Sequence, residues 1–550
     1  MRGKTLAVTG LCTLAAGLVA TNYNIANTSA LDIERSPIFY VDLNNLAYSK
    51  YAKDNYEAIP SYDSLDSFLE AKNSNSLDAV YITSFLYDGI STVKSPDLDD
   101  FIEAGSNDTK IKDLSIKVIN VNGAGDYEFT GKVTGAMIGV DTNNKFGEIN
   151  LILNNASLDT DSKKAPALYV YNKDKTYTDV KVTVKTLTGT NNSLEGGKLK
   201  KVSLIGSDEL SDYSKYYSGD ALNDYESYSK YYGIYTKEQI ENVLFATVRA
   251  GNEDLRDGDP YYFYKASGAV SSDIDLYFEG EGALKITSKN KEGVEAKGNL
   301  TFDGGTGDYE IYAQDDCLNT TTASETSGGS EVHNDMTINV KSLLAKVSED
   351  ADEGDAIDYN GKLTIIGGTI IVIAHPSSPD AGLDSGKGTY INGGTIIATG
   401  NMTDAIESDS KQKYLYATFN QKIEADTLIV IKNANEKVLA AFKTDRSISN
   451  LLYSSAIYDG EDCKIYTGGE IDGEVKNGLY TTINSYSGGT EISYSKAKGF
   501  GGMGKFPGEI AGVNKQNKTN VYLIALISEV VALVLVLLGV AVFKNRKKEE

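Results

Sequence analysis

Five short segments of this 550-residue chain repeat one order of side chains: an acid, a small residue, an aliphatic residue and a second acid. They read Glu292-Gly293-Val294-Glu295, Asp316-Cys317-Leu318-Asn319, Asp355-Ala356-Ile357-Asp358, Ala381-Gly382-Leu383-Asp384 and Asp404-Ala405-Ile406-Glu407, at steps of 24, 39, 26 and 23 residues. If the copies stack as parallel strands, equivalent carboxylates fall about 4.8 Å apart. Two charges at that spacing repel by about 0.9 kcal/mol in water and by several times more near a protein surface. A divalent cation relieves such a column, and calcium takes six to eight oxygens at about 2.4 Å. The candidate ligands for Ca2+ are Glu292, Glu295, Asp316, Asp355, Asp358, Asp380, Asp384, Asp404 and Glu407. Asn319 and Ala381 interrupt the column, so a continuous row of ions is not expected, and Asp380 substitutes at the second break. The competing reading is a solvated acidic edge that deters lateral association.

The elements that must hold this column in place are short strands. Leu300-Thr301-Phe302-Asp303-Gly304-Gly305-Thr306 recurs as Leu363-Thr364-Ile365-Ile366-Gly367-Gly368-Thr369 and again as Tyr390-Ile391-Asn392-Gly393-Gly394-Thr395. Alternating runs such as Ile149 to Leu153 and Val180 to Val184, bounded by Gly, Asn or Asp, follow the grammar of half-buried strands. A period near 24 residues means that one repeat cannot bury its apolar face alone and must share a core with its neighbours. Val294, Leu318, Ile357, Leu383 and Ile406 are expected to point into that core. Gly293, Cys317, Ala356, Gly382 and Ala405 are expected where the backbone turns. Before the repeats, Tyr62 to Lys72 has helical spacing, with Leu65, Phe68 and Leu69 on one face. After them, Thr427 to Lys432, Lys437 to Lys443 and Asp462 to Thr467 have antiparallel texture, expected as a small β-sandwich over the open end of the stack. Cys317 and Cys463 lie in different regions and are read as two buried thiols.

With these motifs in order, residues from about 115 to 495 resemble a bacterial family of secreted carbohydrate-binding proteins with a right-handed parallel β-helix, similar in shape to pectate lyases. Gly125-Asp126-Tyr127-Glu128-Phe129-Thr130-Gly131, Ala165-Pro166-Ala167-Leu168-Tyr169-Val170, Tyr466-Thr467-Gly468-Gly469 and Ser487-Gly488-Gly489-Thr490 also match the family pattern. The resemblance implies polysaccharide binding and bound calcium. The chain departs from it by an insertion at about 207–258, where eight tyrosines lie between Tyr213 and Tyr235, suited to stacking on sugar rings or to a protein contact. Gln314-Asp315-Asp316-Cys317-Leu318 also looks like the paired-Asp motif of polygalacturonases. Glu292, Asp315 and Asp316 are therefore the catalytic candidates, since inverting hydrolysis needs carboxylates about 6.5–9.5 Å apart. The companion Gly-His-Gly and Arg-Ile-Lys motifs are absent. The only histidines, His333 and His375, have other neighbours, and no arginine occurs between Arg256 and Arg446 to act as a lyase base.

A formal net charge of -24 and a pI of about 4.6 exclude nucleic acid, whose phosphates require Lys and Arg. At the N-terminus, Arg2 and Lys4, the apolar run Leu6 to Ala20 and Thr28-Ser29-Ala30 read as a signal peptide. At the C-terminus, Val521 to Phe543 offers sixteen Val, Leu, Ile or Phe residues, worth about -7 kcal/mol toward insertion, against at most about 3 kcal/mol for Glu529. Lys544, Arg546, Lys547 and Lys548 would fix the tail inside.

The expected fold is all-β. A signal peptide (1–30) and a small N-terminal cap region (31–113) precede a right-handed parallel β-helix (114–410, insertion 207–258). A C-terminal antiparallel β domain (411–495), a linker (496–519), one transmembrane helix (520–543) and a cytoplasmic tail (544–550) follow. The expected function is non-catalytic binding of polysaccharide, acidic or cellulosic, by a calcium-supported body outside the cell membrane. A polysaccharide-degrading β-helix enzyme, or an adhesive stalk displaying the tyrosine-rich insertion, are the alternatives.

Overall fold

The computed structural model describes residues 37–62, 65–83, 117–142, 145–161, 165–172, 179–196, 268–289, 291–324, 331–351, 353–376, 380–402 and 404–496. The signal peptide, the tyrosine-rich insertion and the C-terminal apolar segment lie outside them. Among the described residues no helix is long and apolar enough to cross a membrane. The expected single-pass placement in the cell membrane therefore finds no spanning helix among the described residues.

Alternation of inward apolar and outward polar residues builds the body. The strand Leu276–Gly280 turns Leu276 and Phe278 inward, Leu300–Phe302 does the same with its two ends, and Asp308–Ala313 buries every second residue. Each strand pairs in parallel with the equivalent strand of the next repeat. Leu276 thus sits beside Leu300, Leu300 beside Met336, and Met336 beside Leu363. Identical faces then stack on one another: Phe278 and Phe302 lie parallel at 4.5 Å, with Tyr309 edge-on to both. Aromatic pairs in such geometry add about 0.5–1.5 kcal/mol beyond the area they bury.

Two long strands change the architecture from the one expected. Phe146–Asp159 pairs through its first half with Asp179–Thr186 and through its last residues with Asn191–Gly196. Met336–Val347 pairs first with Leu300–Phe302 and then with Asp308–Ala313. With Leu276–Gly280 and Ala283–Ser288 completing the links, the pairing closes into a parallel barrel of eight strands. The expected right-handed parallel β-helix is corrected accordingly. The physical reason lies at the corners. Asn154-Asn155 looked like the end of a strand, but Asn155 takes φ 54° inside the strand, a left-handed turn that asparagine tolerates. The strand bends there without stopping.

The pairing continues on both sides of this ring. On one side lie Gly125–Thr134 and Ile38–Asp42, and Ile38–Asp42 is flanked antiparallel by Ala47–Lys50. On the other, Leu363–Ile373 leads to Thr395–Gly400, which pairs antiparallel with Ile448–Ser454. Ile448–Ser454 therefore extends this ladder edge to edge. A ten-stranded sheet, from Ser61–Tyr62 to Asp384–Ser385, forms another wall. The helix Leu65–Asn73 packs Phe68 between Tyr62 and Tyr81.

A six-stranded antiparallel sheet follows, built from Leu428–Asn433, Val438–Lys443, Cys463–Thr467, Glu470–Lys476, Leu479–Ser487 and Thr490–Ile492. Its docking place is written in one outward column of the parallel body, which runs Lys285, Glu310, Leu344, Ile371, Ile397 in register. The last three are buried against Ile429, Ile431, Phe442 and Ile465. The contact is pinned at its rim, where Lys476 reaches Asp308 at 2.8 Å and Lys341 joins the same carboxylate at 2.7 Å. Arg446 donates to the carbonyl of Val347 at 3.1 Å.

Candidate functional site

The expected acidic column is a row of outward positions on the ten-stranded sheet. Glu295, Asn319, Asp358 and Asp384 are consecutive register partners across Val294–Ala296, Leu318–Thr320, Ile357–Tyr359 and Asp384–Ser385. Their aliphatic neighbours Val294, Leu318, Ile357 and Leu383 are fully buried. The small residues are needed for close approach: a Cβ at Gly293 would fall 2.5 Å from both the carbonyl oxygen of Cys317 and a methyl of Ile311. Cys317 and Cys463 are both free and buried.

The acids at the turns latch successive repeats together. Asp316 accepts the Asp355 N–H at 2.9 Å, Asp355 accepts that of Ala381 at 2.5 Å, and Asp380 accepts that of Gly354 at 2.7 Å. Asp404 accepts both the N–H and the hydroxyl of Ser385. Asn319, read from the sequence as a gap in the column, is a bridge. Its amide donates to Asp316 at 2.8 Å and to Asp358 at 2.9 Å.

So many carboxylates in a desolvated wall cannot all ionise. Burial first, and then Asp315, Asp358, Asp355 and Glu292, hold Asp316 well above the usual carboxylate range. Burial with Asp384 and Asp358 pushes Asp355 up to about 8. Burial with Asp384 and Asp315 pushes Asp358 up to about 7. Asp404 rises to about 6, mainly by burial, and Asp380 is raised as well. Lys291 pairs with Asp315 at 3.0 Å and Lys297 with Asp273 at 2.5 Å. Asp273, which also accepts from the buried Tyr169 hydroxyl, escaped the sequence reading because it stands outside the repeated motif.

Among the described residues, no three or more His, Cys, Asp or Glu are already drawn together as a metal cage. The chemistry of the donors nevertheless fits a hard divalent cation. The oxygens are carboxylate and amide, and the buried Oδ1 of Asn319 has no hydrogen-bond partner. That oxygen belongs to the amide whose nitrogen bridges Asp316 and Asp358, and it is the kind of hard acceptor that calcium takes. Asp316, Asn319, Asp355 and Asp358 are the residues that would hold it, with Asp384 at the next layer. Glu407 does not join them. Its carboxylate lies against Gly388, because the register of the sheet ends at Asp384–Ser385 and Ile406 bridges to Thr389 instead.

The catalytic candidates are differently engaged. Asp315 is in an ion pair, and both oxygens of Asp316 accept hydrogen bonds, one from a backbone N–H of the next repeat. These are the contacts of residues that hold the wall together.

A solved structure of the polysaccharide lyase-like protein from C. thermocellum, a gadolinium derivative, aligns over 68% of this chain and 98% of its own at 14% identity, with a TM-score of 0.34. A likeness that loose carries no weight for fold or function. No curated protein matches. A family model described as carbohydrate-binding domain-containing protein matches residues 115–220 and 230–469, more than half of the chain and the whole of the acidic wall. The chain therefore belongs to the family of carbohydrate-binding domain-containing proteins.

Proposed function

We propose that this protein binds polysaccharide without cleaving it, and that calcium taken up by the acidic wall supports the binding body. The family match over residues 115–220 and 230–469 supports the first part. The buried, unpartnered Oδ1 of Asn319, on the amide whose nitrogen bridges Asp316 and Asp358, supports the second. When bound, calcium would supply the positive charge that lets these acids ionise together. The protein's own residues do the rest. Asp316 and Asp355 tie each repeat to the next by their backbone hydrogen bonds, and the wall keeps the outer faces in register for a ligand. The test is retention of the protein on insoluble and acidic polysaccharides with Ca2+ and with EDTA. Retention in calcium with no release of reducing or unsaturated sugar is the expected outcome. Release of such products would put Asp315, Asp316 and Glu292 back as catalytic residues. Failure to bind any polysaccharide would end the reading.

A further inference from the structure

Resting on the polysaccharide reading, we infer that the ligand is a neutral glycan chain and that it lies along a different wall from the acidic one. The wall is the outer face of the strands that begin each repeat. There Tyr277, Thr301, Thr337, Thr364 and Tyr390 are consecutive register partners in five neighbouring strands. Each is partly exposed, while the residues on either side of it in the strand are buried. Four strand steps of about 4.8 Å separate the two tyrosines, so three threonine hydroxyls line a track about 19 Å long with an aromatic ring at each end. Lys181 lies over the Tyr277 ring, 4.7 Å from its centroid, and steadies it.

Two polar rails border the track, and one of them is fixed before any ligand arrives. Asn299 donates to Asp275 through both its backbone and side-chain nitrogens, at 2.8 and 3.2 Å. Its Oδ1 accepts the N–H of Asp335 at 2.8 Å, and Asp335 in turn accepts that of Lys362 at 2.8 Å. On the other side Asp303 accepts from Asn339 at 3.0 Å, and Glu279 is paired with Lys181 and Lys185. A surface ordered in this way loses little freedom on binding.

The charge of the rails selects the ligand. Asp275, Asp303, Asp335 and Glu279 outnumber the lysines beside them, on a chain of net charge -24. A uronate polymer would be repelled here. A neutral chain would offer hydroxyls to the carboxylates, amides and threonines and flat sugar faces to the two rings. All of these residues fall inside the family-matched range.

The test uses the full chain, with calcium present, against amorphous cellulose and against polygalacturonate. Two variants are compared with the wild type, Tyr277→Ala/Tyr390→Ala and Thr337→Glu. Both alter outward side chains, and thermal melting checks that each still folds. The wild type is expected to bind cellulose in preference to polygalacturonate, and each variant to lose about tenfold or more in affinity for cellulose with its melting temperature held. Wild-type binding that both variants retain would overturn the placement and leave the polysaccharide reading standing. Tighter binding to polygalacturonate than to cellulose would overturn the neutral class. No wild-type binding to either probe would remove this inference together with the polysaccharide reading for these two glycans.

Discussion

Replacing Asp358 by asparagine should stabilise the cation-free protein at neutral pH and weaken its response to calcium. In the native wall Asp358 is raised to about 7, by burial and by Asp384 and Asp315, against about 3.9 for a free aspartate. The folded state therefore holds a proton that the unfolded chain releases. Stability supplied by the neutral form is fully present below about pH 4 and drains away as pH rises toward 7. Three pH units at 1.36 kcal/mol each put the ceiling at about 4 kcal/mol by pH 7.5. Asp316 and Asp355 share the same field, so about half of that is the working figure. In Asp358→Asn the new side chain keeps an oxygen to accept from the Asn319 amide, as Asp358 does at 2.9 Å, and it never ionises. In EDTA at pH 7.5 the variant should melt about 5 °C above the wild type, and the gap should shrink toward pH 5. Added calcium should raise the wild-type melting temperature and move the variant less. A variant that melts below the wild type at both pH values would show that Asp358 is held by favourable contacts and not by frustrated charge.

Uptake of calcium at pH 6 should release about two to three protons per ion, because Asp355 and Asp358 are raised to about 8 and about 7, Asp316 is held well above the usual carboxylate range, and each must ionise to act as a ligand. Calorimetry in buffers of different ionisation enthalpy measures that number. Gly293→Val should destabilise the fold by about 1–3 kcal/mol, since its new atoms meet the Cys317 carbonyl and Ile311 in a wall with no room to relax; denaturant unfolding reads this. Asp308 is held at about 2 despite its burial, through hydrogen bonds from Lys341, Lys476 and Ser342. Its contribution is present above about pH 4 and lost as pH falls toward 2. Asp308→Asn should cost about 1–2 kcal/mol at pH 7 after allowance for solvent screening, and almost nothing near pH 2, in paired melting curves.

What could be read in advance followed the chemistry of repetition. Thr301 and Thr364, quoted as equivalent positions of a motif, stand in one register column, and Val294, Leu318 and Ile357 stack inward because an alternating strand has no other way to bury them. The failures lie where one residue has two uses. Asn155 ends strands in most contexts, yet here it turns a corner inside one, and so the closure into a barrel was invisible. Asn319 breaks a pattern of acids and for that reason is the residue that joins two of them. Glu407 copies the motif in sequence but stands past the last paired strand. Leu344, Ile371 and Ile397 could have announced the docked sheet, since a strand apolar on both faces must be covered on both.

The antiparallel strands at the two flanks of the ladder, Ala47–Lys50 on Ile38–Asp42 and Ile448–Ser454 on Thr395–Gly400, have a consequence for how such a chain changes over time. Each is matched in register to a parallel-ladder strand on one side and to a further antiparallel strand, Glu57–Ala58 or Tyr414–Ile423, on the other, and so acts as a terminator of the parallel stack. A new repeat arising by duplication cannot be appended outside them without stripping a terminator from its partner. It has to be spliced into the interior, where every seam is parallel and one repeat fits against another. Lengthening of the threonine track, and with it the span of glycan covered, is therefore expected through internal duplications between the fixed ends.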